Sequence, residues 1–258
     1  MTKYADTLDI DYSLADSSHY LTSGYIMEIW AQGGNDIVTI GDTMPSDWEG
    51  YVGFGARVFG GAGNDRITGG GQCDWICGDF ETTDNVTGND TIYGGAGGDI
   101  IQGQGGSDKI FGGDGDDTLS VDATLKNMGK DKVTGGHGED YVGLTYDHKQ
   151  DVVYLNEVAD STKAAFDTIN GFEAFWDQLD LRAIDADVNK DGDQAFVLTN
   201  KWTSHQAELL VKVKEEGAIS KVLISGDVDG DNKADLYAEM WVGDTNPTLK
   251  ILHDCFML

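Results

Sequence analysis

The sequence predicts an all-β chain: a right-handed parallel β-roll closed by a β-rich C-terminal cap. Three observations predict it. A nine-residue unit, G-G-x-G-x-D-x-U-x with U a large aliphatic residue, recurs through the first half of the chain. Glycine supplies 36 of the 258 residues against only 2 prolines, so glycine is structural here. Asp and Glu number 46 against 17 Lys and Arg, a formal charge of -29, and a compact state carrying that charge needs counterions.

Residues 1–30 are expected to cap the start of the roll. Their opening, MTKYADTLDIDYSLADSS, is acidic where a secretory signal peptide carries a positive region, and it lacks an apolar stretch. The chain contains no uncharged apolar run of about 18 residues, the length a membrane-spanning helix requires. The acidic balance also excludes nucleic acid as a partner, because binding there depends on Lys and Arg neutralising phosphates. The charge points to cations instead.

The roll is expected over residues 31–143. Clean copies of the unit begin at Gly60, Gly94, Gly112 and Gly135, and variants begin at Gly69 and Gly103. Shortened copies run from Gly34 to Val38, Gly88 to Ile92 and Gly129 to Val133. The sixth position is Asp every time: Asp36, Asp65, Asp74, Asp90, Asp99, Asp108, Asp117, Asp131 and Asp140. The eighth is Val38, Ile67, Ile76, Ile92, Ile101, Ile110, Leu119, Val133 or Val142, aliphatic throughout.

Each feature has a cause. The glycines, among them Gly60, Gly61, Gly63, Gly94, Gly97, Gly103, Gly106, Gly112, Gly115 and Gly135, allow a tight loop whose carbonyl oxygens turn inward. The D-x-U-x half is a short strand that buries its aliphatic residue and exposes the two neighbours. One unit then makes half a coil, and loops on the same side stack every second unit. Ca2+, a hard cation preferring oxygen, fits between two stacked loops.

The expected pairs are Asp65 with Asp90, Asp74 with Asp99, Asp90 with Asp108, Asp99 with Asp117, Asp108 with Asp131 and Asp117 with Asp140, which gives about six ions for the roll. Insertions near 41–59, 79–87 and 121–128 interrupt the period. Trp75 and Ile100 are expected to face outward beneath the first of these, which carries Trp48, Tyr51 and Phe54.

This pattern resembles the RTX, or hemolysin-type, calcium-binding repeat family. Residues 144–258 lack the repeat, but the stretches 166–187, 192–198 and 224–243 resemble the C-terminal region shared by serralysin-type proteases and other RTX proteins exported by type I secretion. The terminal HDCFML, an acid before a short apolar end, is similar to the uncleaved export signals of that route. The resemblance implies a secreted, extracellular protein, a type I secretion apparatus as partner, and folding triggered by Ca2+ after export. It also implies that 144–258 caps the roll, whose last coil would otherwise expose unpaired strand edges.

Two acidic loops add candidates for one or two further ions. DVDGDNKAD offers Asp227, Asp229, Asp231 and Asp235, and DVNKDGD offers Asp187, Asn189, Asp191 and Asp193. Both resemble the front half of an EF-hand loop but carry Ala238 and Leu198 where its twelfth-position Glu belongs. The plain alternative is a hydrophilic turn in which Asp caps local backbone.

Outward strand positions place Arg66, Thr91, Lys109 and Lys132 in one row and Thr68, Tyr93, Phe111 and Thr134 in the next. Such a face suits an acidic, alginate-like polysaccharide, as the RTX modules of mannuronan epimerases do by resemblance; charges that merely solvate a sheet are the competing explanation. A third alternative is the C-terminal tail of a larger secreted enzyme. The chain carries no HExxH, G-x-S-x-G or G-x-G-x-x-G motif, and it reads as non-enzymatic. His19, His137, His148, His205 and His253 are scattered, with His137 at a variable repeat position where solvent exposure is expected. Cys73, Cys77 and Cys255 read as free thiols, since four extended residues separate the first two by about 13 Å, beyond disulfide reach.

Overall fold

The computed structural model describes residues 7–10, 27–41, 55–79, 87–122, 128–217, 219–243 and 254–258. Most of the expected N-terminal cap and of the three insertions, with Trp48, Tyr51, Phe54, His19 and His253, lies outside the described residues. The chain divides into two compact units, Met1–Asp131 and Lys132–Leu258.

Among the described residues the first unit contains ten short strands: β1 (Thr7–Ile10), β2 (Met27–Trp30), β3 (Ile37–Ile40), β4 (Ala56–Phe59), β5 (Arg66–Thr68), β6 (Trp75–Cys77), β7 (Thr91–Ala96), β8 (Ile100–Gln102), β9 (Lys109–Asp114) and β10 (Thr118–Ser120). Odd strands pair in parallel as one sheet. Even strands pair in parallel as another. The chain thus changes sheet at every unit of the repeat, which is the connectivity of a β-roll. Two aliphatic columns run down the inner faces. Val38, Ile67, Ile92 and Ile110 align in register in one sheet, and Val58, Ile76, Ile101 and Leu119 align in the other. None is more than 1% exposed, and burial of each side chain contributes about 1.5–3 kcal/mol.

One strand departs from the sequence reading. Ala56–Phe59, assigned above to an insertion, is a full member of the even sheet between β2 and β6. The place requires an inward aliphatic, supplied by Val58, and a backbone N–H that can reach the next aspartate. It does not require an aspartate of its own, so the repeat signature is missing there.

The second unit contains β11 (Lys132–His137), β12 (Tyr141–Gly143), β13 (Val152–Tyr154), a 3-10 turn at Val158–Asp160, β14 (Asp167–Phe172), β15 (Gln178–Asp180), β16 (Val197–Thr199), β17 (Glu208–Glu216), β18 (Ile219–Asp227), β19 (Leu236–Val242) and β20 (Phe256–Met257). Parallel pairing continues past residue 143 without any glycine repeat, as β11-β13-β15-β20 in one sheet and β12-β14-β19 in another. Val133, Val153, Leu179 and Phe256 form one buried column, and Val142, Ile169 and Met240 another. β19, β18 and β17 then pair antiparallel. The C-terminal Phe256 and Cys255 are therefore buried parts of the folded unit. Cys73, Cys77 and Cys255 form no disulfide. No helix among the described residues is long and apolar enough to cross a membrane.

Candidate metal centre

The sixth-position aspartates stand at the turns entering each strand, and their side chains fold back toward the next coil. In the first unit the odd-sheet turns form one ladder. Asp65 Oδ1 accepts the N–H of Asp36 at 2.7 Å, Asp90 that of Asp65 at 2.8 Å, Asp108 that of Asp90 at 2.8 Å, and Asp131 that of Asp108 at 2.7 Å. The even-sheet turns form a second ladder. Asp74 Oδ1 accepts from Ala56, Asp99 from Asp74 and Asp117 from Asp99, each at 2.7 Å. Five of the six expected pairs are thus stacked neighbours, and Asp36 adds one more. The sixth, Asp117 with Asp140, would join residues of different units. Within the second unit, Asp140 donates to Asp167 Oδ1 at 3.1 Å and Asp151 to Asp177 Oδ1 at 3.0 Å.

Each accepting carboxylate therefore spends one oxygen on the ladder. The other oxygen, Oδ2, is buried in Asp65, Asp90, Asp99 and Asp108 and has no hydrogen-bond partner among the described residues. A buried anionic oxygen left without a donor is costly unless a cation faces it. Glycine makes room around that oxygen. A Cβ on Gly60 would stand 2.5 Å from Asp65 Oδ2, and one on Gly103 would stand 2.5 Å from Asp108 Oδ2 and 2.7 Å from the Val121 carbonyl oxygen. On Gly94 it would meet Asp99 Oδ2 and, at 2.5 Å, the Gly112 carbonyl oxygen; on Gly135 it would strike Asp140 Oδ2. Gly61, Gly63, Gly97, Gly106 and Gly115 hold positive φ, with the backbone of the preceding coil directly beneath them. The donor set is all oxygen, carboxylate and carbonyl, which fits Ca2+.

The electrostatics agree. Burial pushes Asp65 up to about 6, Asp90 to about 9, Asp99 to about 8 and Asp108 to about 7; the charge of Asp108 adds to the effect at Asp90, and that of Asp117 at Asp99. Without a cation these carboxylates resist ionising together at neutral pH.

Several residues in the same arrangement were not legible as repeats. Asp79 is buried, accepts the Gly88 N–H at 3.0 Å and is raised to about 8 by burial, with Asp108 and Asp65 adding their charges. Asp167 and Asp177 take the ladder position in the second unit, each raised to about 8 by burial above all. A companion ladder runs one residue ahead in the odd-sheet turns: Asn35 accepts from Asn64, Asn64 from Asn89, Asn89 from Ser107 and Ser107 from Lys130, at 2.7–3.0 Å. Its signal in the sequence is Asn or Ser before the aspartate in alternate units only.

The acidic loop between β18 and β19 is a different object. Asp227, Asp229 and Asp235 bring carboxylate oxygens within 4.8 Å of one another, whereas Asp231 turns away to pair with Lys233. Asp227 also caps its own turn, accepting from Gly230 and Asn232. In the other loop Asp187 pairs with Lys190 and accepts from Asn189.

On the outer face of the odd sheet, Arg66, Thr91 and Lys109 lie in one row and Thr68, Tyr93 and Phe111 in the next, at the expected register. Tyr93 and Phe111 stack at 4.8 Å, and the Arg66 guanidinium lies 4.6 Å over Tyr93. Lys132 and Thr134 belong to the second unit. On the even sheet Trp75 pairs with Ile100 and carries the Arg57 guanidinium 3.9 Å over its ring.

The RTX calcium-binding nonapeptide repeat family, in four copies, matches residues 53–81 and 85–119. Among curated proteins no sequence match is found. Among solved structures the chain is similar to the AlgE6R2 subunit from the Azotobacter vinelandii mannuronan C5-epimerase, at 19% identity over 75% of this chain and 92% of that one, with a TM-score of 0.27. It is also similar to the AlgE6R3 subunit of that enzyme, at 15% identity over 77% and 80%, with a TM-score of 0.24.

Proposed function

Because the chain carries RTX calcium-binding nonapeptide repeats, we propose that it is a non-enzymatic, secreted calcium-binding module whose folding is triggered by Ca2+ outside the cell after type I export. The observation that carries this reading is the pair of aspartate ladders whose second oxygens, in Asp65, Asp90, Asp99 and Asp108, are buried without a donor among the described residues. Such a stack resists assembly until cations occupy it. With a site Kd of about 0.1 mM and external calcium near ~1 mM, each site contributes about 1.4 kcal/mol, and six contribute about 8 kcal/mol, the scale of a whole domain's stability. At cytosolic calcium the contribution falls close to zero. Residues 1–30 and 144–258 act as caps in this reading, and the Asp227 loop holds a further ion.

The test is a calcium titration of the metal-free chain followed by far-UV circular dichroism, with bound ions counted by native mass spectrometry. A cooperative coil-to-β transition with about six or more ions is the expected result. A chain already folded in chelator, binding one ion or none, would defeat the proposal. A second reading, a module for an acidic polysaccharide, is favoured by Arg66 and Lys109 flanking the Tyr93–Phe111 stack. It requires alginate binding that disappears when Arg66, Lys109 and Lys132 are reversed in charge.

A further inference from the structure

The second unit brings together three side chains that belong to no calcium ladder. His137 ends β11, Glu157 precedes the 3-10 turn, and Asp160 closes that turn. His137 Nε2 lies 3.0 Å from Glu157 Oε1 and 3.9 Å from Asp160 Oδ1, and one donor atom of each residue falls within 4.8 Å of the other two.

Asp160 is only 4% exposed. Its Oδ2 is held by the N–H groups of Asn156 and Glu157 at 2.6 and 3.1 Å, which aims Oδ1 toward the imidazole. That Oδ1 accepts no hydrogen bond from the described residues.

We infer that His137, Glu157 and Asp160 form a binding site for a divalent transition cation of the Zn2+ class, separate from the calcium ladders. An ion about 2.1 Å from each donor in tetrahedral geometry needs donors about 3.4 Å apart, and the two measured separations bracket that value. An imidazole nitrogen beside two carboxylates suits Zn2+, whereas Ca2+ selects oxygen alone. With neutral imidazole the set carries two negative charges against the two positive charges of the ion. The His137 and Glu157 side chains are half-exposed, at 51% and 61%, so the ion enters from solvent and water completes its coordination. The cation seat at a variable repeat position was invisible in the sequence, because Glu157 and Asp160 lie 20 and 23 residues further on, outside any repeat.

The experiment titrates the full chain, held in millimolar Ca2+, with Zn2+ by calorimetry and with Co2+ by visible absorption. A Zn2+ site that calcium does not displace is expected, with Co2+ bands showing nitrogen and oxygen ligation. His137→Ala should weaken it at least about tenfold while leaving the calcium midpoint of folding unchanged, and Asp160→Asn should weaken it as well. His148→Ala should leave it intact. Because the His137 side chain is half outside the fold, its variant is the decisive one. Unchanged Zn2+ affinity in His137→Ala, no Zn2+ binding in the parent, or displacement by millimolar Ca2+ would each overturn the inference.

Discussion

Asp99 accepts the N–H of Asp74 on Oδ1 and donates its own N–H to Asp117, so one residue serves both of its neighbours in the ladder. Asp99→Ala removes an acceptor from a buried amide, costing about 1–3 kcal/mol, and withdraws a carboxylate from the calcium stack. The calcium midpoint of folding should rise, as read by circular dichroism; an unchanged midpoint would count against the stacking. Asp99→Asn keeps the acceptor and loses only the charge, so its midpoint should fall between parent and Ala. At this scale the sequence was most legible where the spacing is strict: the nine sixth-position aspartates and nine eighth-position aliphatics are all buried. Asp79, Asp151, Asp167 and Asp177 escaped because their ladder is made by backbone geometry, and no fixed spacing marks it once coils differ in length. Asp231 misled in the opposite direction. Its position matches a metal loop, but Lys233, two residues on, claims its carboxylate.

The strands are too short to hold themselves, and the loops between them set the register. Gly63 shows what a loop position demands, with φ at +123° and the Gly34 carbonyl oxygen where a Cβ would stand. Gly63→Ala should therefore lose roughly 2–4 kcal/mol of calcium-saturated stability, through strain and displaced stacking together. Gly217, in the turn after β17, is also at positive φ but has nothing within 4 Å, so Gly217→Ala should cost only about 1 kcal/mol. Equal losses in urea denaturation of the two variants would mean that close coil stacking does not govern the loops. The repeat announced the strands that carry it, and it missed β4 because Ala56 supplies only a backbone N–H where its neighbours in the ladder supply Asp74 and Asp99. The coils of the second unit were likewise hidden, since β13, β14 and β15 keep the inward aliphatic but lack the glycine pattern of the repeat.

For the whole molecule the dominant fact is charge. With a net formal charge of -29, and Asp65, Asp90, Asp99 and Asp108 raised to between about 6 and 9, the metal-free fold is opposed at neutral pH. The sign follows from linkage. These groups bind protons more tightly folded than unfolded, so their stabilising contribution is fully present below about pH 4 and is lost as pH rises through the folded values. In chelator, acidifying from pH 8.5 toward 5 should therefore increase β-structure by circular dichroism, while saturating Ca2+ should flatten the dependence. A metal-free chain that loses structure over that range would contradict the cation-shaped origin of these shifts.

The ladders also carry a direction and an uneven rhythm. Each rung runs from a backbone amide to a carboxylate further along the chain, and successive rungs on the odd side are 29, 25, 18 and 23 residues apart. Coils stacked this way touch only their neighbours, so tension applied at the ends would strip them one at a time rather than all together. Each release would lengthen the chain by the contour of its own coil. The order of long and short extensions would then spell out which coil had let go, a barcode written in loop length and read by force.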